Sequence, residues 1–205
     1  MEELLPKLEI DVEYFDTAAL FGDGRPLWLE IGFGGGEHLA WQASAHRDVG
    51  IIGCEPFMNG VVKLLGMIDS DGLENVRLYR DDARLLVEQL PPASLERTFI
   101  LFPDPWPKAR HHKRRIVSDA VLGQLADALV DGAELRIATD DPGYLEWILM
   151  HMRRQANFDW QARRQADWRE RPGDWPQTRY EAKAVAAGRQ CAFLTYRRRP
   201  RGTAA

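Results

Sequence analysis

Two cysteines, Cys54 and Cys191, are the only thiols in a chain of 205 residues. They stand far apart, each inside an apolar, β-rich stretch. That pattern reads as two reduced core residues rather than a disulfide or a metal pair, and no metal site is expected. No apolar run approaches the roughly 18 residues a membrane span needs. The N-terminal stretch MEELLPKLEIDVE is acidic and lacks the basic start and apolar stretch of a secretory leader. No internal repeat or low-complexity linker divides the chain, so one domain over 1–205 is expected. Together these absences point to a cytoplasmic protein without a membrane partner.

The composition is that of an ordinary globule, 45% apolar and 28% charged, with a net charge of −4. Its charge is unevenly spread. Residues 108–115 hold Lys108, Arg110, Lys113, Arg114 and Arg115 and no acid. A basic strip on an otherwise acidic body suggests a local contact with an anion. Later arginines, such as Arg163, Arg164 and Arg197–Arg199, read equally well as solvated faces and tails.

Short apolar runs alternate with helical patterns. Strands are expected at 27–31, 49–55, 76–80, 98–102 and 133–139. Helices are expected at 37–46, 58–68, 83–90, 118–130 and from 142 to about 154. Ser118 and Asp141 read as N-caps, and Gly132 as the C-cap of the fourth helix. This alternation predicts an α/β fold with a doubly wound parallel sheet. The tail departs from it. Two further strands, 158–161 and 191–197, flank a long stretch, 162–177, whose Trp168 and Trp175 fit either a lid or the core. Ligands in such sheets bind beyond the carboxyl ends of the strands, which directs attention to residues just after each one.

After the first strand comes LEIGFGGG (29–36). A dinucleotide fingerprint, GxGxxG, would need glycine at 37, where Glu37 stands. The spacing GxGxG, with Glu30 two residues ahead, instead resembles the loop of S-adenosylmethionine-dependent methyltransferases. That donor is cationic at its sulfonium and amino groups, so a carboxylate beside the loop suits it. Glu55 ends the second strand and could accept from ribose hydroxyls, a device that NAD enzymes share. Asp82 follows the third and could accept from an adenine amino group.

The fourth strand runs into FPDPWPKARHHKRR (102–115). Pro103, Pro105 and Pro107 stiffen the segment around Asp104. Trp106 offers a flat face for a base, worth about 1–3 kcal/mol when stacked, or simply packs on the domain. The Lys and Arg residues beyond it would meet phosphates.

This block, with LEIGFGGG, GCEP, the DDA of 81–83, ATDD (138–141) and TRYEAKA (178–184), resembles the bacterial tRNA guanine-N7 methyltransferases of the TrmB family. The resemblance spans about 27–197 and leaves 1–26 as an N-terminal segment without the basic extension common in the family. It implies a Rossmann-like class I methyltransferase fold, a mostly parallel seven-stranded sheet with helices on both faces. It also implies S-adenosyl-L-methionine as donor, tRNA as partner, and guanine 46 of the variable loop as the methylated base. Carried over position by position, it implies cofactor contacts at Glu30, Gly32, Gly34, Glu55, Asp82 and Asp104, with Asp104 also catalytic. Substrate contacts fall at Lys108, Asp140, Thr178, Arg179, Tyr180 and Glu181. Arg110, His111, His112, Lys113, Arg114 and Arg115 match the RNA-interacting stretch, although His112 stands where relatives commonly carry Asn. Thr178-x-x-Glu181 is equally a capping box opening a short helix closed by Gly188.

Three other readings stay open at this point. A methyltransferase for another RNA or a small molecule, an NAD-dependent oxidoreductase, and a non-catalytic RNA-binding module each explain part of the pattern. The second is disfavoured by the broken GxGxxG spacing, and the third leaves the acids after successive strands unexplained.

Overall fold

A computed structural model describes residues 3–202. The chain opens with helix α1 (Leu5–Leu8) and a 3-10 turn (Val12–Tyr14), and then alternates strand and helix. The alternation runs β1 (Leu27–Ile31), α2 (Glu37–Ala45), β2 (Gly50–Cys54), α3 (Met58–Asp71), β3 (Val76–Tyr79), α4 (Ala83–Gln89) and β4 (Leu95–Leu101). A 3-10 segment (Ala109–Arg114) precedes α5 (Asp119–Ala128), β5 (Leu129–Thr139) and α6 (Pro142–Arg154). The tail holds β6 (Phe158–Trp160), α7 (Ala166–Arg169), α8 (Arg179–Ala186) and β7 (Ala192–Arg198).

The seven strands form one sheet in the order β3-β2-β1-β4-β5-β7-β6. The first five are parallel, and β7 runs antiparallel between β5 and β6. Two apolar cores lie on opposite sides of the sheet. One packs Leu86, Leu122, Leu125 and Ile148 from α4, α5 and α6; the other packs Leu39, Val61 and Leu64 from α2 and α3. Burial on both faces explains why all five residues of LWLEI are inside and why the run lacks a polar alternation. Among the described residues, no helix is long and apolar enough to cross a membrane.

Local signals placed most boundaries. Ser118 and Asp141 cap their helices, accepting from the N–H groups of Val121 and Tyr144. Gly132 does not cap α5. That helix ends at Ala128, and Leu129, fully buried, already pairs with Leu95 of β4. Glu134 then faces Arg97, so β5 bulges between them, with Gly132 at φ 82°. Leu125, Ala128 and Leu129 share helical spacing, which hid the turn. In the 162–177 stretch, Trp175 is buried in the core formed with α2 and α3, and Trp168 packs half-buried against the other core, across the sheet.

Candidate active site

The sheet order reverses between β1 and β4, and the carboxyl ends of the strands open there into a cavity of about 540 Å³. Gly34, Glu55, Asp82, Asp104, Trp106 and Tyr180 are among its walls. Glu55 holds the first two elements together. Its Oε2 accepts from the Gly34 N–H at 2.9 Å and its Oε1 from the Phe57 N–H at 3.0 Å. This staples the glycine loop to the start of α3. Gly34 has φ +56°, a conformation strained for any other residue, and a Cβ there would displace the Tyr180 ring, which would lie at 2.8 Å. Burial pushes the Glu55 carboxyl above its ordinary range, against those two donors, and the charge of Asp104 pushes the same way.

Asp82 caps α4 through the Arg84 N–H, and its carboxylate pairs with the Arg84 guanidinium at 2.6 Å. The Arg84 hydrogen bond holds Asp82 below the ordinary carboxylate range. Asp104 is exposed at the cavity edge. Its loop is bracketed by Phe102 at φ 51° and Trp106 at φ 42°. Left-handed backbone at two bulky residues is strained and persists only where surrounding structure imposes it. His111 stacks on Trp106 with ring centroids 5.7 Å apart, and the Arg114 guanidinium lies 4.8 Å from the same ring.

A family model described as "Putative methyltransferase" matches residues 24–194. The tRNA (guanine-N(7)-)-methyltransferase of Rhodospirillum rubrum is 51% identical, over 98% of this chain and 82% of its own length. Its namesake from Zymomonas mobilis is 50% identical, over 97% of this chain and 86% of its own. The chain belongs to the tRNA (guanine-N7-)-methyltransferase family. Among solved structures, the antibiotic-resistance methyltransferase Kmr matches with a TM-score of 0.60 and 20% identity, over 93% of this chain and 95% of its own. An rRNA methylase from Streptococcus thermophilus matches at 0.58 and 13%, over 86% and 89%. Both share the class I methyltransferase fold.

As a member of this family, the methyltransferase uses S-adenosyl-L-methionine as methyl donor, and the residues present fit that molecule. A carboxylate offers about four acceptor positions. Glu55 uses two on its own backbone donors, which leaves two for a pair of hydroxyls. Asp104 adds a carboxylate to the same cavity, Asp82 adds a second one that Arg84 pairs, and Phe57, 69% exposed, gives it an apolar wall.

Not every residue singled out in the methyltransferase sequence reaches this cavity. Glu30 is 2% exposed and turned inward, its Oε2 2.7 Å from His38 Nδ1. His38 Nε2 in turn lies 3.1 Å from Gln42 Nε2, which also donates to the Asp174 carbonyl. Sequence reasoning missed His38; its signal was Gln42 one turn on, on the same helical face. Asp140 pairs with Arg189 at 2.6 Å and lines a second, smaller cavity beside Arg169. Thr178 caps α8, accepting from the Glu181 N–H, so the capping reading is realised. Arg179 and Tyr180 line the main cavity, whereas Glu181 is buried against Arg171. Lys108, Arg110, Lys113 and Arg114 are exposed, and His111 and His112 are half-buried. Arg115 departs from expectation. It is 6% exposed, with its Nε donating to the Pro105 carbonyl at 2.8 Å. A guanidinium held that way is not offered to a phosphate.

Proposed function

We propose that this chain transfers the methyl group of S-adenosyl-L-methionine to N7 of guanine 46 in the tRNA variable loop. The observation that carries the reading is 51% identity to a tRNA (guanine-N(7)-)-methyltransferase across 98% of the chain. The choice of position 46 rests on the resemblance of the FPDPWPKARHHKRR block to its family.

The bound donor supplies a methyl group activated by its sulfonium. Guanine N7 carries an in-plane lone pair and no proton, so the reaction requires no general base. What remains for the protein is orientation and electrostatics. Glu55 would hold the ribose hydroxyls through its two remaining acceptor positions, and Asp82, oriented by Arg84, would hold the adenine amino group. Asp104 faces the target base and stabilises the positive charge it acquires. Gly32 and Gly34 allow close backbone approach. Arg179 and Tyr180 meet the substrate at the cavity mouth, and Asp140 meets it from the neighbouring cavity, with Thr178 and Glu181 fixing α8 beneath. Glu30 acts from below by holding His38 and the root of the loop, not by direct contact. Lys108, Arg110, Lys113 and Arg114 grip the RNA backbone.

The deciding experiment is labelled methyl transfer to unmodified tRNA, followed by mapping of the label. N7-methylguanosine at position 46 is expected; label at another nucleotide, or none on tRNA, overturns the reading.

Two further results follow. Arg114→Ala should weaken tRNA binding and reduce the slope of log affinity against log salt by just under one, as for one lost phosphate contact. An unchanged slope would remove Arg114 from the RNA contact. Affinity for S-adenosylhomocysteine should depend on Glu55 as a charged acceptor. Because burial raises this carboxyl, protonation and loss of affinity should set in above the ordinary glutamate value of 4.5 as pH falls. Asp82, held charged by Arg84, should follow only at lower pH. Calorimetric titration across pH checks this, and affinity that stays constant down to 4.5 contradicts it.

A further inference from the structure

We propose that Arg115 is a positioning residue that fixes the Asp104 loop, and that the neighbouring arginines Arg114 and Arg115 have opposite tasks. This rests on the reading that Asp104 serves the transfer. Arg115 leaves the 3-10 segment in extended backbone, φ −61° and ψ 129°. Arg114 is the last residue of the 3-10 segment, and the change of backbone after it sends the two neighbouring side chains different ways. Arg114 is exposed and lies over Trp106 at the cavity. Arg115 turns the other way, into the protein.

There it meets a surface built by α6. Its guanidinium sits 4.7 Å from the Trp147 ring and 5.1 Å from Tyr144. Both aromatics are fixed in turn. Trp147 Nε1–H donates to the Val117 carbonyl at 2.7 Å, and the Tyr144 hydroxyl accepts from the Val117 N–H at 3.3 Å. His112 rests against Trp147 with ring centroids 5.2 Å apart. Helix α6 thus anchors the chain on both sides of Arg115.

From this anchor Arg115 reaches one group on the far side, the Pro105 carbonyl, which belongs to the residue after Asp104. That carbonyl lies between the two left-handed residues Phe102 and Trp106. A strained loop needs an external restraint to hold one geometry. Arg115 supplies it, with a planar cation that stacks on two rings while donating at its Nε. Lysine, a point charge without a planar fork, cannot stack on both rings and keep this directed Nε bond. The buried arginine therefore transmits the rigidity of α6 to the carboxylate at the reaction centre, and makes no phosphate contact.

Arg115→Lys separates the two roles. A phosphate contact survives the exchange as a point charge, whereas the stacked, Nε-bonded clamp does not. The expected result is a fall in kcat of about 10- to 100-fold, the range for a loop displaced by about an ångström. KM for tRNA, tRNA affinity and its salt slope should stay at parental values. Parental kcat in Arg115→Lys, or a loss confined to tRNA affinity, overturns the proposal. Asp104→Ala belongs in the same series. If it stays active, the catalytic reading has failed; if it is inactive while Arg115→Lys is normal, only the positioning role is lost. A second measurement uses the unaltered protein and does not depend on the variant folding. Phenylglyoxal modification mapped by mass spectrometry should label Arg114, with protection by tRNA, and leave Arg115 unlabelled in both states. Labelling of Arg115 that tRNA suppresses would equally overturn the proposal.

Discussion

Asp104→Ala should lower single-turnover methyl transfer by about 100- to 1,000-fold, the usual loss when a preorganised charge partner of a transition state is removed. The chain should stay folded. Asp104 is exposed, and exposed substitutions of this kind change stability by about 0.5 kcal/mol or less. Asp104→Asn keeps the shape and deletes the charge, so it should lose most of the same rate if electrostatics dominate. An independent signature accompanies both variants. Asp104 is one of the groups that push the Glu55 carboxyl upward. Removing its charge should move the acid limb of donor binding to lower pH. Labelled transfer near the parental rate in either variant would take Asp104 out of the mechanism.

The residues that carry these arguments were not equally visible in the sequence. Glu55, Asp82 and Asp104 follow three successive strands, and in a doubly wound sheet those positions converge at the switch point. One cavity does contain all three. The caps Ser118, Asp141 and Thr178 were legible because each is a contact within one turn of its helix. Orientation was not legible. Every residue of LWLEI is buried, so strand alternation could not say whether Glu30 faces the cavity or His38. The same limit applied to Arg114 and Arg115, two identical residues in one basic run whose directions are decided by α6, some thirty positions downstream. Trp175, in a stretch rich in Pro, Gly and Asp, has the local composition of a surface loop. Its burial depends on Phe99, His38 and Phe193, which only the folded sheet brings together.

Gly60→Ala should disable donor binding, although by helix propensity it ought to help. Glycine inside a helix is normally worse than alanine by about 0.5–1 kcal/mol. At Gly60, however, a Cβ would lie 2.1 Å from the Gly34 carbonyl oxygen and 3.2 Å from the Glu55 side chain. The obstacle is backbone, which cannot rotate aside. Gly34 is also tied to Glu55 through its N–H. The first turn of α3 or the glycine loop must therefore retreat by about an ångström, enough to cost roughly 100-fold in a positioned site. Overpacking of this kind destabilises by about 1–3 kcal/mol. Gly66, on the same helix, provides the control. A Cβ there meets nothing within 4 Å, so Gly66→Ala should gain about 0.5–1 kcal/mol and leave binding unchanged. Thermal unfolding and S-adenosylhomocysteine titration of the pair read both effects. If the two variants behave alike, the loop and α3 are not in close contact, and Gly34 is not held where the donor needs it.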